Sequence, residues 1–483
     1  MHDLSSILWE ALAVFLYFMI LVVVAVKSYT PHLSETDFIL GNRSMNFWLT
    51  ALTAHASDMS SWLFMGYPAM IYVIGVHQAW AGIGLLIFMF LNWQLIAPKV
   101  RTATEQYDSM TFSSFFENRL GDISGVIRIF TAIMLFVFYT IYISAALVGM
   151  GYVLNILFGI EYHLSVIIGI LIVVPYVFFG GYLTLAWIDL FQGLFLLCVI
   201  VFVPLYILPA VGGFSGVLES LKQHNLSTSL IPSFSPKSLF EIFFLTIGWG
   251  LGYFGQPHII TKFMGIRKVS EIKKAKRIGM TWMVFALGSA TLIGLIGVPF
   301  FKGTLKIESE VFIQMVNQTF PAFIAGFFLC AIFAATINAM SAMVLVLSSS
   351  LTEDIYKKVF RKKADSKELL LVSRLSVIFV SMIAFMIAVA NVDTIYGLVL
   401  YAWSGLGASF GPLLLLCLWM RKINKYGAWC GILSGGIIAA FWPLVAHRFP
   451  IEIPPLPPAF TVSFLSIWIV SKLTAKKSAI TEI

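Results

Sequence analysis

Long apolar runs fill the chain, separated by short polar stretches. Thirteen apolar segments fall at roughly 8–27, 46–74, 78–97, 126–155, 164–182, 184–211, 239–264, 278–301, 322–353, 369–390, 394–420, 427–447 and 456–472. An α-helix needs about 20 residues to cross the hydrocarbon core of a bilayer. Inside lipid, backbone polar groups must be satisfied within the segment, so runs of this length predict helices. The pattern predicts an all-α polytopic membrane protein with about 13 transmembrane helices. The first run, Leu8 to Val26, has no basic region before it and no A-x-A cleavage site at its end, so it reads as a span and not as a cleaved leader. No soluble domain longer than about 30 residues fits between the runs.

Two segments carry internal breaks. Segment 46–74 contains Ala56-Ser57-Asp58-Met59-Ser60-Ser61, then Gly66 and Pro68. Segment 239–264 contains Gly248-Trp249-Gly250-Leu251-Gly252-Tyr253-Phe254-Gly255-Gln256-Pro257. Glycine weakens a helix and proline removes a backbone donor. Each break alone also reads as a kinked helix. Their spacing adds information, because they interrupt the second and the seventh span. Two five-span units follow, 46–211 and 239–420, the second inserted upside down relative to the first. Spans at 8–27 and 427–472 flank them. Paired broken helices in inverted repeats point to a secondary transporter with its site at the midplane.

Composition narrows the class. Of 483 residues, 59% are hydrophobic and 11% charged, too few charges for a soluble enzyme of this length. The net charge of +8 is explained by loop topology. With the N-terminus outside, 23 basic residues fall on inner loops and five on outer ones. The inner set includes Lys99, Arg119, Arg421, Lys476, Lys477 and the clusters at 267–277 and 357–367. This bias predicts an outside N-terminus and a cytoplasmic C-terminus in a cell (inner) membrane. It calls for no nucleic acid. Cys198, Cys330, Cys417 and Cys430 are expected to be buried small hydrophobes.

Candidate chemistry gathers at the breaks. Asp58 lies mid-span, where a carboxylate is costly unless paired or solvated. It reads as an ion-coupling acid or as a cap for the broken helix. Asp189, at the start of span 6, reads as a residue reaching the inner surface or as part of an inner ion pathway. Trp249, Tyr253, Gln256 and Pro257 form a mixed aromatic and amide wall, suited to a small solute with an apolar ring and a charged head, or to plain packing. Freed N–H groups at the half-helix ends suit a carboxylate. An ion channel would call for repeated pore loops, which are not seen. A membrane enzyme would call for a nucleophile with its base, and His55, Ser57 and His258 have no evident partner set. A sensor would carry a longer cytosolic tail.

At these residues the chain resembles the sodium/solute symporters, in particular their proline-transporting bacterial members, over roughly residues 35–475. The strings that carry the resemblance are Ala56-Ser57-Asp58-Met59-Ser60, Gly248 to His258, Thr352-Glu353-Asp354 and Tyr401-Ala402-Trp403-Ser404-Gly405. The resemblance implies a LeuT-type fold, alternating access and import of proline with a cation, no cofactor and no obligate protein partner. It places a substrate pocket on Trp249, Tyr253 and Pro257 beside Asp58 and Ser60. It places a sodium site on Ala56 and Met59 of span 2 and on Ala335, Asn338 and Ala339 of span 9, with Asp189 linked to sodium affinity. There the chain departs from the pattern, because Asn338 and Ala339 stand where the family has two hydroxyl residues. A hard cation prefers several oxygen ligands, so the departure weakens a sodium site unless water, Thr336 or Ser341 substitutes. A protonated Asp58 or Asp189 is the alternative coupling group.

Overall fold

Each of the thirteen apolar segments falls on helix. The computed structural model describes residues 4–28, 39–179, 182–449 and 451–475, so Lys476 and Lys477 lie outside the described residues. In chain order the helices are α1 (Leu4–Ser28), α2a (Phe47–Ala56), α2b (Gly66–Ile74), α3 (Ala79–Leu91, continued through Asn92–Ile96 into Ala97–Gln106), α4 (Val126–Phe158), α5 (Tyr162–Phe179) and α6 (Tyr182–Ile207). Then follow α7a (Pro236–Gly250), α7b (Pro257–Met264), α8 (Ile272–Phe301), α9 (Ala322–Ser350), α10 (Ser366–Ala390), α11 (Ile395–Trp419), α12 (Lys425–Phe441) and α13 (Leu456–Leu473). Among the described residues, ten helices are long and apolar enough to cross a bilayer. The other three segments fall on the divided α2, on α5 and on α12, the last two 18 and 17 residues long. Short helices at Phe112–Leu120, Gly213–Gln223 and Val311–Thr319 were not foreseen from the apolar pattern.

Both breaks have local causes. In α2 the hydroxyl of Ser57 turns back to the Thr53 carbonyl at 2.6 Å, and Ser60 is extended at ψ −164°. Short polar side chains of this kind compete with helical hydrogen bonding. In α7 the residue before Pro257 is pushed out of helical space. Accordingly Gln256 is extended at φ −90°, ψ 104°, and Pro257 opens α7b. Span 3 runs on past the expected end at 97. Proline inside a helix clashes with the carbonyl four residues back, and Asn92–Ile96 widens into a π turn just before Pro98.

The two divided helices are tied together at both ends. At one end Met45, before α2a, forms a bridge with Ile266, after α7b. At the other end Gly75, after α2b, forms one with Ser227, before α7a. The packing is reciprocal as well. α8 lies along both halves of α2, and α3 lies along both halves of α7. α9 and α11 form the centre, with 94% and 83% of their apolar windows buried, against 22% for α1 at the rim. α9 packs on α1, α4, α6 and α10, and α11 packs on α4, α12, α13 and the α7 break.

The cysteine expectation holds for Cys330 and Cys417 only, because Cys198 and Cys430 are exposed on the outside of the bundle. An apolar helix face turned to lipid reads in sequence like one turned to the core, which is why the pattern did not separate the two pairs.

Candidate functional site

Asp58 joins the two breaks. It is buried in the α2 break, and Tyr253, in the Leu251–Gly255 turn of α7, donates its hydroxyl to Asp58 Oδ2 at 2.5 Å. Tyr142 of α4 donates to the Asp58 carbonyl at 3.4 Å. The carboxylate therefore does not cap its own helix: among the described residues no backbone N–H donates to it. Ser60 does that work instead, its hydroxyl accepting from Trp62 N at 3.3 Å.

Above Asp58 the aromatic side chains close into a cage. The Trp62 ring lies 4.8 Å from Trp249 and stacks on Tyr67 at 5.0 Å. Trp249 also faces Tyr396 at 5.1 Å, and Tyr253 meets Trp403 edge-on at 5.1 Å. Hydrogen bonds hold the rings in place. Trp249 Nε1 and Gln78 Nε2 both donate to the Tyr396 hydroxyl, at 2.9 and 3.0 Å. Trp403 Nε1 donates to the Trp249 carbonyl at 2.8 Å. Gln256 Nε2 donates to the Trp403 carbonyl at 3.1 Å, and its Oε1 is buried without a partner. The sequence-derived wall of Trp249, Tyr253 and Gln256 is thus one connected structure, and it is packed and polar at once.

Pro257 occupies the first position of α7b. The next backbone donor, His258 N–H, is taken by the Tyr139 hydroxyl at 3.0 Å, and those of Ile259 and Ile260 go to the Gln256 carbonyl. The N-terminus of α7b is therefore not the open anion cradle that the break alone suggested. The His and Ser residues weighed for catalysis are partly engaged, with His55 Nδ1 and His258 Nε2 left without a partner. His55 Nε2 accepts from Trp93 Nε1 at 3.2 Å, and Ser57 bonds to its own helix.

The five residues of the suspected cation site are buried. Ala56 ends α2a and Met59 lies in the break. Ala335, Asn338 and Ala339 sit on α9, which packs against α2a and against the Ser61–Leu63 turn. Both side-chain amide atoms of Asn338 and the Thr336 hydroxyl are buried without a partner. Burying polar groups without hydrogen bonds is costly, so donor and acceptor capacity is left over here, as it is at several other buried polar atoms. Ser341, the other possible substitute, bonds to the Asn338 carbonyl at 3.1 Å.

Asp189 needs a correction. It does not reach the inner surface. It is 1% exposed on α6 and faces Lys262 Nζ of α7b at 3.3 Å. The ammonium also lies 5.1 Å above the Tyr182 ring. Two buried charges compensate each other, which relieves the need to snorkel. A cavity of about 30 Å³ borders Lys262, Thr261 and His258 on this side.

Sequence reasoning missed Tyr139, Tyr142, Lys262 and Tyr396. Tyr139 and Tyr142 stand three apart on α4, a spacing that puts both hydroxyls on one face.

The chain matches the model of the Sodium:solute symporter family over residues 38–435. It is 41% identical over 453 residues to the high-affinity proline transporter PutP of Bacillus subtilis, covering 92% of this chain and 94% of that protein. It is 37% identical over 489 residues to the sodium/proline symporter of Staphylococcus aureus, covering 98% and 94%. Among solved structures, a Na+-coupled sialic acid symporter superposes with a TM-score of 0.81 at 18% identity, covering 97% of this chain and 98% of that one. A nucleobase-cation-symport-1 family transporter superposes at 0.55 and 14% identity, covering 93% and 96%. These two likenesses show the fold, the LeuT type. The chain is a multi-pass membrane protein and belongs to the sodium:solute symporter family.

Proposed function

We propose that the chain imports proline together with sodium by alternating access. The observation that carries this reading is the bond between Asp58 and Tyr253, which brings both broken helices to one buried carboxylate under an aromatic cage. An apolar cage suits a pyrrolidine ring, and a carboxylate suits the imino nitrogen of proline. The names of the relatives from Bacillus subtilis and Staphylococcus aureus support the substrate, and the second of them supports sodium.

In this reading Trp249, Tyr253, Gln256, Pro257, Asp58 and Ser60 hold proline. Sodium lies between α2 and α9, on Ala56, Met59 and Ala335, with Asn338 offering an amide oxygen and Ala339 none. Asp189 and Lys262 line the inner exit. Residues 46–211 and 239–420 are the inverted repeats, supported by the reciprocal packing of α8 on α2 and α3 on α7. The N-terminus is outside and the C-terminus cytoplasmic, as the basic inner loops require. A symporter cycle makes no covalent bond, and this one calls on no cofactor, nucleic acid or protein partner.

The test is uptake of labelled proline into proteoliposomes with a sodium gradient and a pH gradient imposed separately. Sodium alone is expected to drive accumulation. Accumulation driven only by pH overturns the coupling, and no accumulation under either gradient overturns the substrate.

A further inference from the structure

A cleft opens between the end of α3 and the end of α11, on the side where the basic loops gather. It encloses about 440 Å³ and has Lys99, Arg119 and Arg421 among its lining residues, with Thr102 and Gln106 beside them. No carboxylate lines it. Lys99 and Arg421 are exposed, and Arg119 is half-buried at the end of the Phe112–Leu120 helix.

The pairing of these cations sets them apart from their neighbours. On the same side Arg101 pairs with Glu105, Arg128 with Asp354, Lys357 with Glu353 and Lys358 with Glu117. Among the described residues Lys99, Arg119 and Arg421 have no carboxylate partner. Lys99 instead lies 4.7 Å above the Trp419 ring, and Arg119 lies 5.8 Å from the Tyr107 ring while donating to the Met420 carbonyl at 3.3 Å. Topology alone explains why basic residues lie on this side. It does not explain why three of them converge on one cleft that has no carboxylate in its lining. Trp419 is 46% exposed at the end of a spanning helix, the depth at which aromatic belts meet headgroups.

We propose that this cleft binds a phosphate-bearing anion. Arg119 and Arg421 supply planar guanidinium donors, Lys99 a third charge, and Thr102 and Gln106 neutral donors. Two sources carry this chemistry: the headgroup of an anionic phospholipid of the inner leaflet, and a soluble phosphate. Either bridges α3 to α11.

The test uses the full chain, delipidated in detergent. Short-chain phosphatidylglycerol, short-chain phosphatidylcholine and inorganic phosphate are titrated in turn, with Tm and bound lipid by native mass spectrometry as readouts. Phosphatidylglycerol is expected to raise Tm, and phosphatidylcholine is not. Lys99→Gln/Arg119→Gln/Arg421→Gln is expected to weaken binding on the order of a hundredfold, since each basic residue contributes about fivefold. Lys99→Gln/Arg421→Gln, which changes only exposed residues, covers the case in which the triple variant fails to fold. Lys273→Gln, at the start of α8, is expected to bind as the parent does. An equal rise with inorganic phosphate assigns the site to a soluble anion. A rise with the lipid alone assigns it to the headgroup. Binding left unchanged by the double variant, or lost equally in Lys273→Gln, overturns the proposal.

Discussion

Tyr253 and Asp58 are 195 positions apart in the chain, and the phenol of one donates to the carboxylate of the other at 2.5 Å. Their helices enter from opposite sides of the bundle, and each is broken at the level where they meet. The bond ties the state of one break to that of the other. Asp58→Asn is expected to abolish proline uptake in proteoliposomes while the protein still folds. Tyr253→Phe keeps the ring and removes one hydrogen bond to a charged group, worth about 1.5–3 kcal/mol. It is expected to lower uptake roughly tenfold to a hundredfold. Normal uptake by Asp58→Asn would remove Asp58 from the mechanism.

Trp249 is held on two sides, through its indole N–H to Tyr396 and through its ring to Trp62. Truncating it opens the cage and leaves the Tyr396 hydroxyl with only Gln78. Trp249→Ala is expected to raise the proline concentration for half-maximal uptake on the order of tenfold, the equivalent of about 1.4 kcal/mol. Phe at this position keeps the ring and loses the N–H, and is expected to fall between. If the alanine variant has parental half-saturation, the cage does not hold the substrate.

Lys262 and Asp189 are buried together, their side chains 4% and 2% exposed. Removing one partner strands the other, at a cost of about 3–5 kcal/mol in buried pairs of this kind. Lys262→Met is expected to lower Tm sharply. Lys262→Met/Asp189→Asn is expected to recover most of that loss, because no buried charge is left behind. A double variant no more stable than Lys262→Met would mean that the ion pair is not what the single change breaks.

How much of this was legible follows from where each signal lies. The breaks are local events. Ser57, Asp58 and Ser60, and then Gln256 before Pro257, carry their own reasons for leaving a helix, so the sequence shows them. The Asp189–Lys262 pair joins residues 73 positions apart on different helices, and nothing near Asp189 reveals a partner. An apolar residue has two acceptable surroundings in a membrane, so Cys198 and Cys430 could not be told from Cys330 and Cys417. Span 3 looked finished at Pro98 because a π turn, which absorbs the lost donor, leaves no mark in an apolar pattern. The aromatic cage was half visible: Trp249, Tyr253 and Trp403 stand in strings that carry the resemblance, while Trp62, Tyr67 and Tyr396 enter it by packing alone.

Asn338 and Ala339 offer the sharpest test of how this chain holds its cation. The family pattern has two hydroxyl residues here, and this chain has one amide and one methyl. Both polar atoms of the amide are buried without a partner, which leaves its oxygen open to a cation. Ser341 donates its hydroxyl to the Asn338 carbonyl, which leaves its oxygen lone pairs open. Thr336 is uncommitted on the same helix, but two residues from Asn338 on an α-helix it faces away by about half a turn. An oxygen-poor shell holds sodium weakly. Asn338→Ser/Ala339→Thr adds the missing hydroxyl and is expected to lower the sodium concentration for half-maximal proline uptake on the order of tenfold, about 1.4 kcal/mol for one ligand. Asn338→Leu removes the remaining oxygen and is expected to shift it the other way, with half-saturation for proline at saturating sodium little changed. Sodium dependence identical in all three proteins would mean that the cation is held without α9 side chains.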